Sequence, residues 1–161
     1  MTRSRIATPE DARDLPGDFA HQVDVDVRFA DTDAMGHVNN AVYLTYCEMA
    51  RIRYWSDVTG EPVAAGHEGA ESLILAEARI TYRAPVFHTE TVTIETRATH
   101  IGRSSFTLEH RLTACGPGDS PRLVAISDSV MVRYDYRTDR AAPLSDAFID
   151  AIESFEGRSL R

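Results

Sequence analysis

Apolar residues recur at two different spacings along the chain, and each spacing predicts a different element. Valines and a phenylalanine occupy every second position of HQVDVDVRF, residues 21–29, which is typical of a half-buried strand. Residues 41–57 are apolar around most of the helical circumference, with a narrow polar stripe through Glu48 and Arg51. This pattern predicts a long central helix wrapped by other elements, and Gly60 is expected to end it.

Four further strands and a short helix are predicted after the long helix. The strand-like runs cover residues 72–85, 89–101, 104–115 and 122–136. Short turns join them, so consecutive strands are expected to pair antiparallel as a meander. A final helix is predicted behind Ser145, which is suited to cap it. The apolar positions of this helix are Leu144, Phe148, Ile149, Ile152 and Phe155.

The order of these elements predicts the fold class. One antiparallel sheet curled around a central long helix accommodates all of them, which makes the chain an α+β protein. We expect one domain over residues 21–140, a polar leader over residues 1–20, and a short helix and tail over residues 141–161. A lone sheet has open edges and a second face, so a homodimer is predicted. Whether such dimers pair into tetramers is left open.

Charge and composition exclude several classes of function. The net charge of −8 and the lack of a dense basic run argue against a nucleic-acid-binding protein. No apolar run approaches the roughly 20 residues of a membrane span, and the first residues lack the apolar core of a signal peptide. Cys47 and Cys115 lie far apart and are interpreted as reduced packing residues. A cytoplasmic enzyme or binding protein is therefore expected.

Acidic and amide residues are concentrated where the first strand leads into the long helix, in RFADTDAMGHVNN. A helix that begins near Asn40 leaves its first backbone N–H groups unpaired. Such donors can hold the oxyanion of an acyl-transfer intermediate. Gly36 permits a tight bend that would bring Asp33 to the same point. A carboxylate beside an oxyanion site suggests acyl chemistry.

Other interpretations of this stretch stay open on the residues alone. Asp and Asn are common before helices because their side chains cap free N–H groups. Such roles would explain Asp31, Asp33, Asn39 and Asn40. His37 is equally consistent with a hydrogen-bonding scaffold residue. A metal site built from Asp31, Asp33 and His37 is a weaker alternative, because no second histidine cluster supports it.

Two segments carry a resemblance to a known family. VRFADTDAMGHVNNAVYLTYCEMAR resembles the signature of the hotdog-fold acyl-CoA thioesterases, the group of 4-hydroxybenzoyl-CoA thioesterase and the Tol-Pal-associated thioesterases. ITYRAPVFHTETVTIETRATHIGRSSFTLEHRL is similar to the meander of that family, and together the segments cover roughly residues 22–136. The resemblance implies a hotdog fold and hydrolysis of an acyl-CoA to a free acid and coenzyme A. No metal is expected, and no cofactor beyond the coenzyme A of the substrate.

The resemblance also assigns roles to individual residues. It places the catalytic carboxylate on Asp33 and leaves Asp31 as a structural or supporting residue. A backbone N–H at the start of the helix, that of Asn39 or Asn40, is expected to polarise the thioester carbonyl. His37 matches a histidine of the related acyl-carrier-protein thioesterases and is expected to position the reacting groups. An acyl-carrier-protein thioesterase is therefore an alternative, as is a non-catalytic acyl-CoA-binding protein of the same fold.

The turn in HIGRSSF corresponds to the nucleotide-contacting turn of the family, so it is expected to bind the nucleotide of coenzyme A. Its residues are Gly102, Arg103, Ser104 and Ser105. The phosphates need a local cation on an acidic protein, and Arg103 supplies one. A plain hairpin turn with a solvated arginine is the alternative.

Two other catalytic assignments are disfavoured. A hotdog hydratase is expected to carry an Asp-x-Asn-Pro-x-His type of motif, and DTDAMGH lacks both the Asn-Pro step and that spacing. Glu48 lies on the long helix, where a salt bridge to Arg51 or Arg53 explains it better than catalysis does.

Overall fold

The structure is a computed structural model that describes residues 17–60 and 72–161. Most of the predicted leader therefore lies outside the described residues. The observed elements are β1 (His21–Asp26), a 3₁₀ turn (Phe29–Asp31), α1 (Asn40–Thr59), β2 (Ser72–Tyr82), β3 (Thr91–Ile101), β4 (Ser105–Cys115), β5 (Arg122–Asp135), β6 (Arg140–Ala141) and α2 (Asp146–Glu156). Every predicted helix and strand is present, with ends shifted by a few residues, and only the short strand β6 has no predicted counterpart.

The long helix α1 begins and ends at residues that its sequence indicates. The side chain of Asn39 accepts a hydrogen bond from the N–H of Ala41 at 2.9 Å and caps the first turn. Gly60 ends the helix with a left-handed φ of 72°, which glycine adopts without the steric strain that a Cβ brings. Among the described helices, none is apolar over a length that would cross a membrane.

The strands form one antiparallel sheet in the order β1-β3-β4-β5-β2, with β6 paired to the end of β5. β3, β4 and β5 pair with their sequence neighbours, as expected. The expected pairing of β2 with β3 is wrong, because β2 pairs with β5 instead. Residues 83–90 are long enough to carry the chain past the ends of two strands, which a tight turn is not. β2 is thus an edge strand, and no described strand pairs with its outer side.

α1 packs on the inner face of this sheet. Its buried side chains are Tyr43, Tyr46, Cys47, Ala50 and Tyr54. β3 and β4 present alternate buried residues to it, as their period-two pattern predicts. α2 covers the far end of the same face, and the predicted cap is confirmed, because Ser145 Oγ accepts the N–H of Phe148 at 3.3 Å. The core therefore lies between one face of the sheet and the two helices.

The sheet packs around α1 as expected, but the prediction that only a narrow polar stripe of α1 is exposed is wrong. Leu44, Met49 and Ile52 are 38, 42 and 45% exposed. The predicted polar stripe is also wrong in part, because Arg51 is partly buried and its Nη1 donates to Ser129 Oγ of β5 at 3.2 Å. The physical reason is the placement of the helix: α1 packs mainly against β1, β3 and α2, and the side chains of Leu44, Met49 and Ile52 lie on its remaining surface.

A row of polar side chains crosses the inner face of the sheet beneath α1. It contains His21 of β1, Thr96 of β3, His110 of β4, and Ser127 and Ser129 of β5, all buried. His110 is bonded on both sides: Nδ1 lies 3.0 Å from Thr96 Oγ1, and Nε2 lies 3.3 Å from Ser129 Oγ. The buried apolar residues form two clusters, one under the first half of α1 and one around α2. The polar row lies between them.

We expect acid to destabilise the protein through His110. Burial lowers the pKa of His110 to about 3, and the charge of Arg51 acts in the same direction. An unfolded chain binds the proton at the ordinary pKa of 6.5, so protonation favours the unfolded state below that pH. The stability that His110 supports is therefore complete above about pH 6.5 and falls as the pH drops toward 3, by about 1.4 kcal/mol per pH unit.

Urea unfolding at about pH 7, 6 and 5 measures this slope. His110→Gln is expected to lower the free energy of unfolding at neutral pH, because the core loses a fitted side chain, and to reduce the slope by about 1.4 kcal/mol per pH unit. His100→Gln changes an exposed histidine of β3 and serves as the control. Equal slopes in the wild type and His110→Gln would contradict the prediction.

Candidate active site

A buried carboxylate fixes the chain between β1 and α1. Asp31 is 2% exposed, and one of its oxygens accepts hydrogen bonds from Arg28 Nη2 at 2.7 Å and Nε at 3.1 Å. The N–H of Arg28 and the hydroxyl of Tyr46 donate to the other oxygen at 3.0 and 2.9 Å. Hydrogen bonding to the Arg28 side chain lowers the pKa of Asp31, which keeps it ionised. Asp31 thus holds the loop in place and has no oxygen left for a reacting group.

The turn that carries Asp33 is closed by its own backbone. This Asp33 turn comprises residues 32–38. The N–H of Asp33 donates to His37 O at 2.9 Å, and the N–H of Gly36 donates back to Asp33 O at 3.0 Å. Gly36 has a left-handed φ of 77°, which favours glycine. The tight bend expected at Gly36 is therefore confirmed.

The carboxylate of Asp33 is oriented through one of its oxygens. Oδ1 accepts a hydrogen bond from the N–H of Met35 at 2.8 Å. Oδ2 has no donor among the residues that the structure describes. Asp33 is partly buried, whereas the side chain of Met35 is 77% exposed. One oxygen is thus positioned by the turn, and the other is available to a reacting group.

The start of α1 offers one of the two N–H groups that were expected to hold an oxyanion. The N–H of Asn39 donates to Asp31 O at 2.8 Å and is occupied. The N–H of Ala41 donates to Asn39 Oδ1 at 2.9 Å. The N–H of Val42 donates to the carbonyl oxygen of Asn39, also at 2.9 Å. The N–H of Asn40 has no acceptor in the described part of the chain. It is the free donor at the positive end of the helix dipole.

Residues 83–90, between β2 and β3, support the Asp33 turn from outside. The ring of His37 packs edge-on against Phe87, with centroids 5.3 Å apart. The N–H of Val38 donates to Val86 O at 2.8 Å. His37 is therefore held beside the Asp33 turn by packing, and its ring makes no hydrogen bond to a described residue.

Two aromatic residues at the site were absent from the sequence candidates. They are Tyr82 and Phe87. The hydroxyl of Tyr82 donates to Asn40 O at 2.8 Å, and its ring packs edge-on against Tyr43. A buried tyrosine hydroxyl usually has a hydrogen-bond partner, so tyrosines in apolar patterns were the available signal. Phe87 gave no comparable signal, because it lies in a loop.

The expected nucleotide-binding residues form the Gly102 turn, residues 102–105, between β3 and β4. The N–H of Gly102 donates to Ser105 O at 2.7 Å, and Ser104 O accepts the N–H of Arg133 at 2.9 Å. The side chain of Arg103 is exposed. The backbone of this turn is thus fixed, while its cation projects into solvent.

The Gly102 turn and the Asp33 turn lie near opposite ends of β2. Ser105 pairs with Val132 of β5, and Val132 pairs in turn with Ile74, near the start of β2. The start of α1 is bonded instead to Tyr82, the last residue of β2. At about 3.3 Å per residue, roughly 25 Å separate Ile74 from Tyr82 along the strand. The structure thus gathers Asp33, His37, Asn39 and Asn40, but it does not bring the Gly102 turn to them within one chain.

The metal site considered from the sequence is not formed. Asp31 is engaged by Arg28 and Tyr46. Within residues 17–60 and 72–161, no three His, Cys, Asp or Glu side chains are grouped as metal ligands would be.

Comparison with known families identifies the family of this chain. The model of the thioesterase-like superfamily matches residues 27–152, a span that contains the Asp33 turn, α1 and the Gly102 turn. The chain belongs to the thioesterase-like superfamily. The predicted hotdog fold is confirmed, and the protein is an acyl-CoA thioesterase.

Individual relatives include solved structures and a curated enzyme. This thioesterase is similar to a thioesterase from Thermus thermophilus crystallised with coenzyme A and zinc, with 37% identity, 88% of this chain and 98% of that chain covered, and a TM-score of 0.75. It is 26% identical over 131 residues to 1,4-dihydroxy-2-naphthoyl-CoA hydrolase of Synechococcus elongatus, covering 79% of this chain and 90% of that enzyme. The fold is also that of 4-hydroxybenzoyl-CoA thioesterase from Pseudomonas, which is 20% identical. The match covers 81% of this chain and 96% of that chain, with a TM-score of 0.71.

We expect Asp31→Ala to destabilise the thioesterase strongly. The substitution leaves the buried hydroxyl of Tyr46 without its acceptor and releases Arg28, so the free energy of unfolding should fall by about 3 kcal/mol. Tyr46→Phe removes one hydrogen bond and should cost about 1 kcal/mol. Asp26→Ala changes an exposed aspartate bonded to Thr91 and should stay within about 0.5 kcal/mol. Urea unfolding checks the order, and an Asp31→Ala variant as stable as Asp26→Ala would disprove it.

Proposed function

We propose that the thioesterase hydrolyses its acyl-CoA with Asp33 as the catalytic carboxylate and the N–H of Asn40 as the oxyanion donor. The observation that carries this proposal is the free N–H of Asn40 at the start of α1, one residue beyond the chain segment that Asp31 anchors. A hydrogen-bond donor at a helix N-terminus stabilises the negative oxygen of a tetrahedral intermediate. The Asp33 turn presents an unbonded carboxylate oxygen immediately before this helix.

The reaction consumes one water and releases an acid and a thiol. In one route, the free oxygen of Asp33 attacks the thioester carbonyl and expels the coenzyme A thiolate, and water then cleaves the mixed anhydride. In the other route, Asp33 takes a proton from water as the water attacks the carbonyl. A single turnover in oxygen-18 water separates them, because label in Asp33 rules out the pure general-base route. His37 is proposed to position the substrate from its place on Phe87.

We further propose that the working form is a homodimer joined along β2. The outer side of this edge strand offers unpaired backbone groups over residues 72–82. Two copies that pair antiparallel about a two-fold axis bring the start of one β2 to the end of the other. The Gly102 turn of one chain then approaches the Asp33 turn of its partner copy. Within a single chain, the two turns lie at positions roughly 25 Å apart along β2.

The nucleotide of coenzyme A is assigned to the Gly102 turn of the second copy. The residues proposed to contact it are Gly102, Arg103, Ser104 and Ser105. Arg103 supplies an exposed cation for a phosphate, and the turn supplies polar groups on a fixed backbone. No cofactor is proposed beyond the coenzyme A of the substrate itself.

Asp33→Asn tests the catalytic carboxylate. Thiol release from a panel of aromatic and aliphatic acyl-CoAs is expected to fall at least about a hundredfold in kcat, with little change in KM, because the amide neither attacks nor accepts a proton. Asp24→Asn, in an exposed part of β1, is the matched control and should retain activity. Undiminished release by Asp33→Asn would remove Asp33 from this role.

The same panel separates the competing functions. Wild-type protein that binds acyl-CoAs without releasing thiol would favour a non-catalytic binding protein. Release only from acyl-carrier-protein thioesters would favour an acyl-carrier-protein thioesterase. The relatives named for naphthoyl and benzoyl substrates make hydroxylated aromatic acyl-CoAs the first compounds to assay.

Arg103→Ala tests the nucleotide contact. Loss of one charged contact to phosphate, worth about 1.4 kcal/mol, should raise KM for an acyl-CoA roughly tenfold and leave kcat nearly unchanged. The corresponding acyl-pantetheine lacks the nucleotide, so its KM should not respond to the substitution. Arg53→Ala removes an exposed charge from α1 and serves as the control. An equal effect on both substrates would show that Arg103 does not contact the nucleotide.

A further inference from the structure

The partly buried guanidinium of Arg51 on α1 makes no ion pair with a carboxylate among the described residues, although the charge of Glu48 acts on it from a longer distance. The Nη1 of Arg51 donates to the neutral Ser129 Oγ at 3.2 Å, and the ion pairs of the described residues use other arginines. Burial lowers the pKa of Arg51. Removing a charge from water without pairing it is unfavourable. A carboxylate supplied from outside the chain would offset that penalty.

An exposed carboxylate lies one helical turn away. Glu48 precedes Arg51 by three residues, a spacing at which such side chains often pair. Arg51 is turned instead toward the sheet and Ser129, and Glu48 takes part in no ion pair within the described ranges. The salt bridge expected from the sequence is therefore not formed among the described residues, although the charge of Glu48 still raises the pKa of Arg51 against the effect of burial.

Arg51 contacts the strand next to the sheet edge. Ser129, which it contacts, pairs with Ala78 of the edge strand β2. Ala78 is exposed. Arg51 therefore sits beside the sheet edge along which the proposed dimer joins.

Leu44, Glu48 and Ile52 form a stripe on α1, because residues four apart share one face of a helix. Leu44 and Ile52 are 38 and 45% exposed, so an acid stands between two exposed apolar side chains. The three residues, together with Arg51 beside them, are called the α1 stripe below. Along the helix the order is apolar, acidic, apolar, and it is the same when read from either end, so an antiparallel copy presents a matching order.

We infer that the α1 stripe binds the α1 stripe of a second copy, with Glu48 of each chain paired to Arg51 of the other. A two-fold axis level with Glu48 sets Leu44 opposite Ile52 of the second copy, since each lies four residues, about 6 Å, from Glu48. Arg51 lies about 4.5 Å along the helix from that level, within reach of the opposing carboxylate. The two acids at the axis are then neutralised by two arginines, and the interface closes as a dimer.

This inference rests on the dimer proposed above and adds to it two ion pairs between Glu48 and Arg51 of opposite chains, called the charge code below. Charge reversal tests it. Glu48→Arg gives a stripe with two cations, and Arg51→Glu gives one with two anions, so each variant alone should have the 17.9 kDa mass of one chain by light scattering. An equimolar mixture should recover twice that mass, because the reversed charges are complementary only between unlike chains. Thiol release should be lost and regained with the dimer.

Arg53→Glu makes the same charge change on the same helix, outside the stripe, and should remain dimeric. Variants that stay dimeric alone, or a mixture of folded variants that stays monomeric, would overturn the charge code. A monomeric wild type would instead overturn the proposed dimer itself. If circular dichroism shows that charge reversal prevents folding, Glu48→Gln and Arg51→Met are tested instead. Each single variant should raise the dimer dissociation constant at least tenfold, and the double variant should raise it little further. Additive effects of the two substitutions would overturn the pairing.

Discussion

The carboxylate of Asp31 is the contact on which the site depends. Its oxygens bind Arg28 and Tyr46, so they join the end of β1 to the second turn of α1. Its backbone oxygen binds the N–H of Asn39 and sets the residue at which the helix starts. Once that start is fixed, the N–H of Asn40 is the donor left over. A residue whose own oxygens are all engaged thus determines which backbone N–H at the helix start stays free among the described residues.

The sequence predicted the elements well and their arrangement less well. In β3 and β4 every second side chain points to the same face, and a short turn joins the two strands. Residue pattern and turn length were therefore sufficient to predict that they pair with each other. The neighbour of β2 was mispredicted, because an eight-residue connection leaves its destination to tertiary packing. The outward stripe of α1 was misread for a similar reason. A helical pattern shows that Arg51 is charged, but only the sheet shows that it turns toward Ser129.

For the candidate site, the sequence pointed to the segment before α1 and could not rank its backbone donors. Asn39 and Asn40 are the same residue type, so the sequence does not distinguish their backbone groups. The N–H of Asn39 is bonded to Asp31 O, whereas the N–H of Asn40 has no acceptor among the described residues, and this difference follows from how the loop folds back on itself. The separation of the Gly102 turn from Asp33 was equally hidden, because it follows from strand register. Phe87 contacts His37 from a loop without periodicity, so no pattern marked it.

The polar row beneath α1 divides the apolar interior into two clusters with different neighbours. One cluster supports the residues around the Asp33 turn, and the other is built mainly on α2 and the ends of β3 and β4. The two clusters share no buried apolar residue, so a change of side-chain volume is met first by the neighbours within its own cluster. The interior around the Asp33 turn and the interior around α2 are thus packed by separate sets of side chains, and each can be repacked by substitutions within its own cluster.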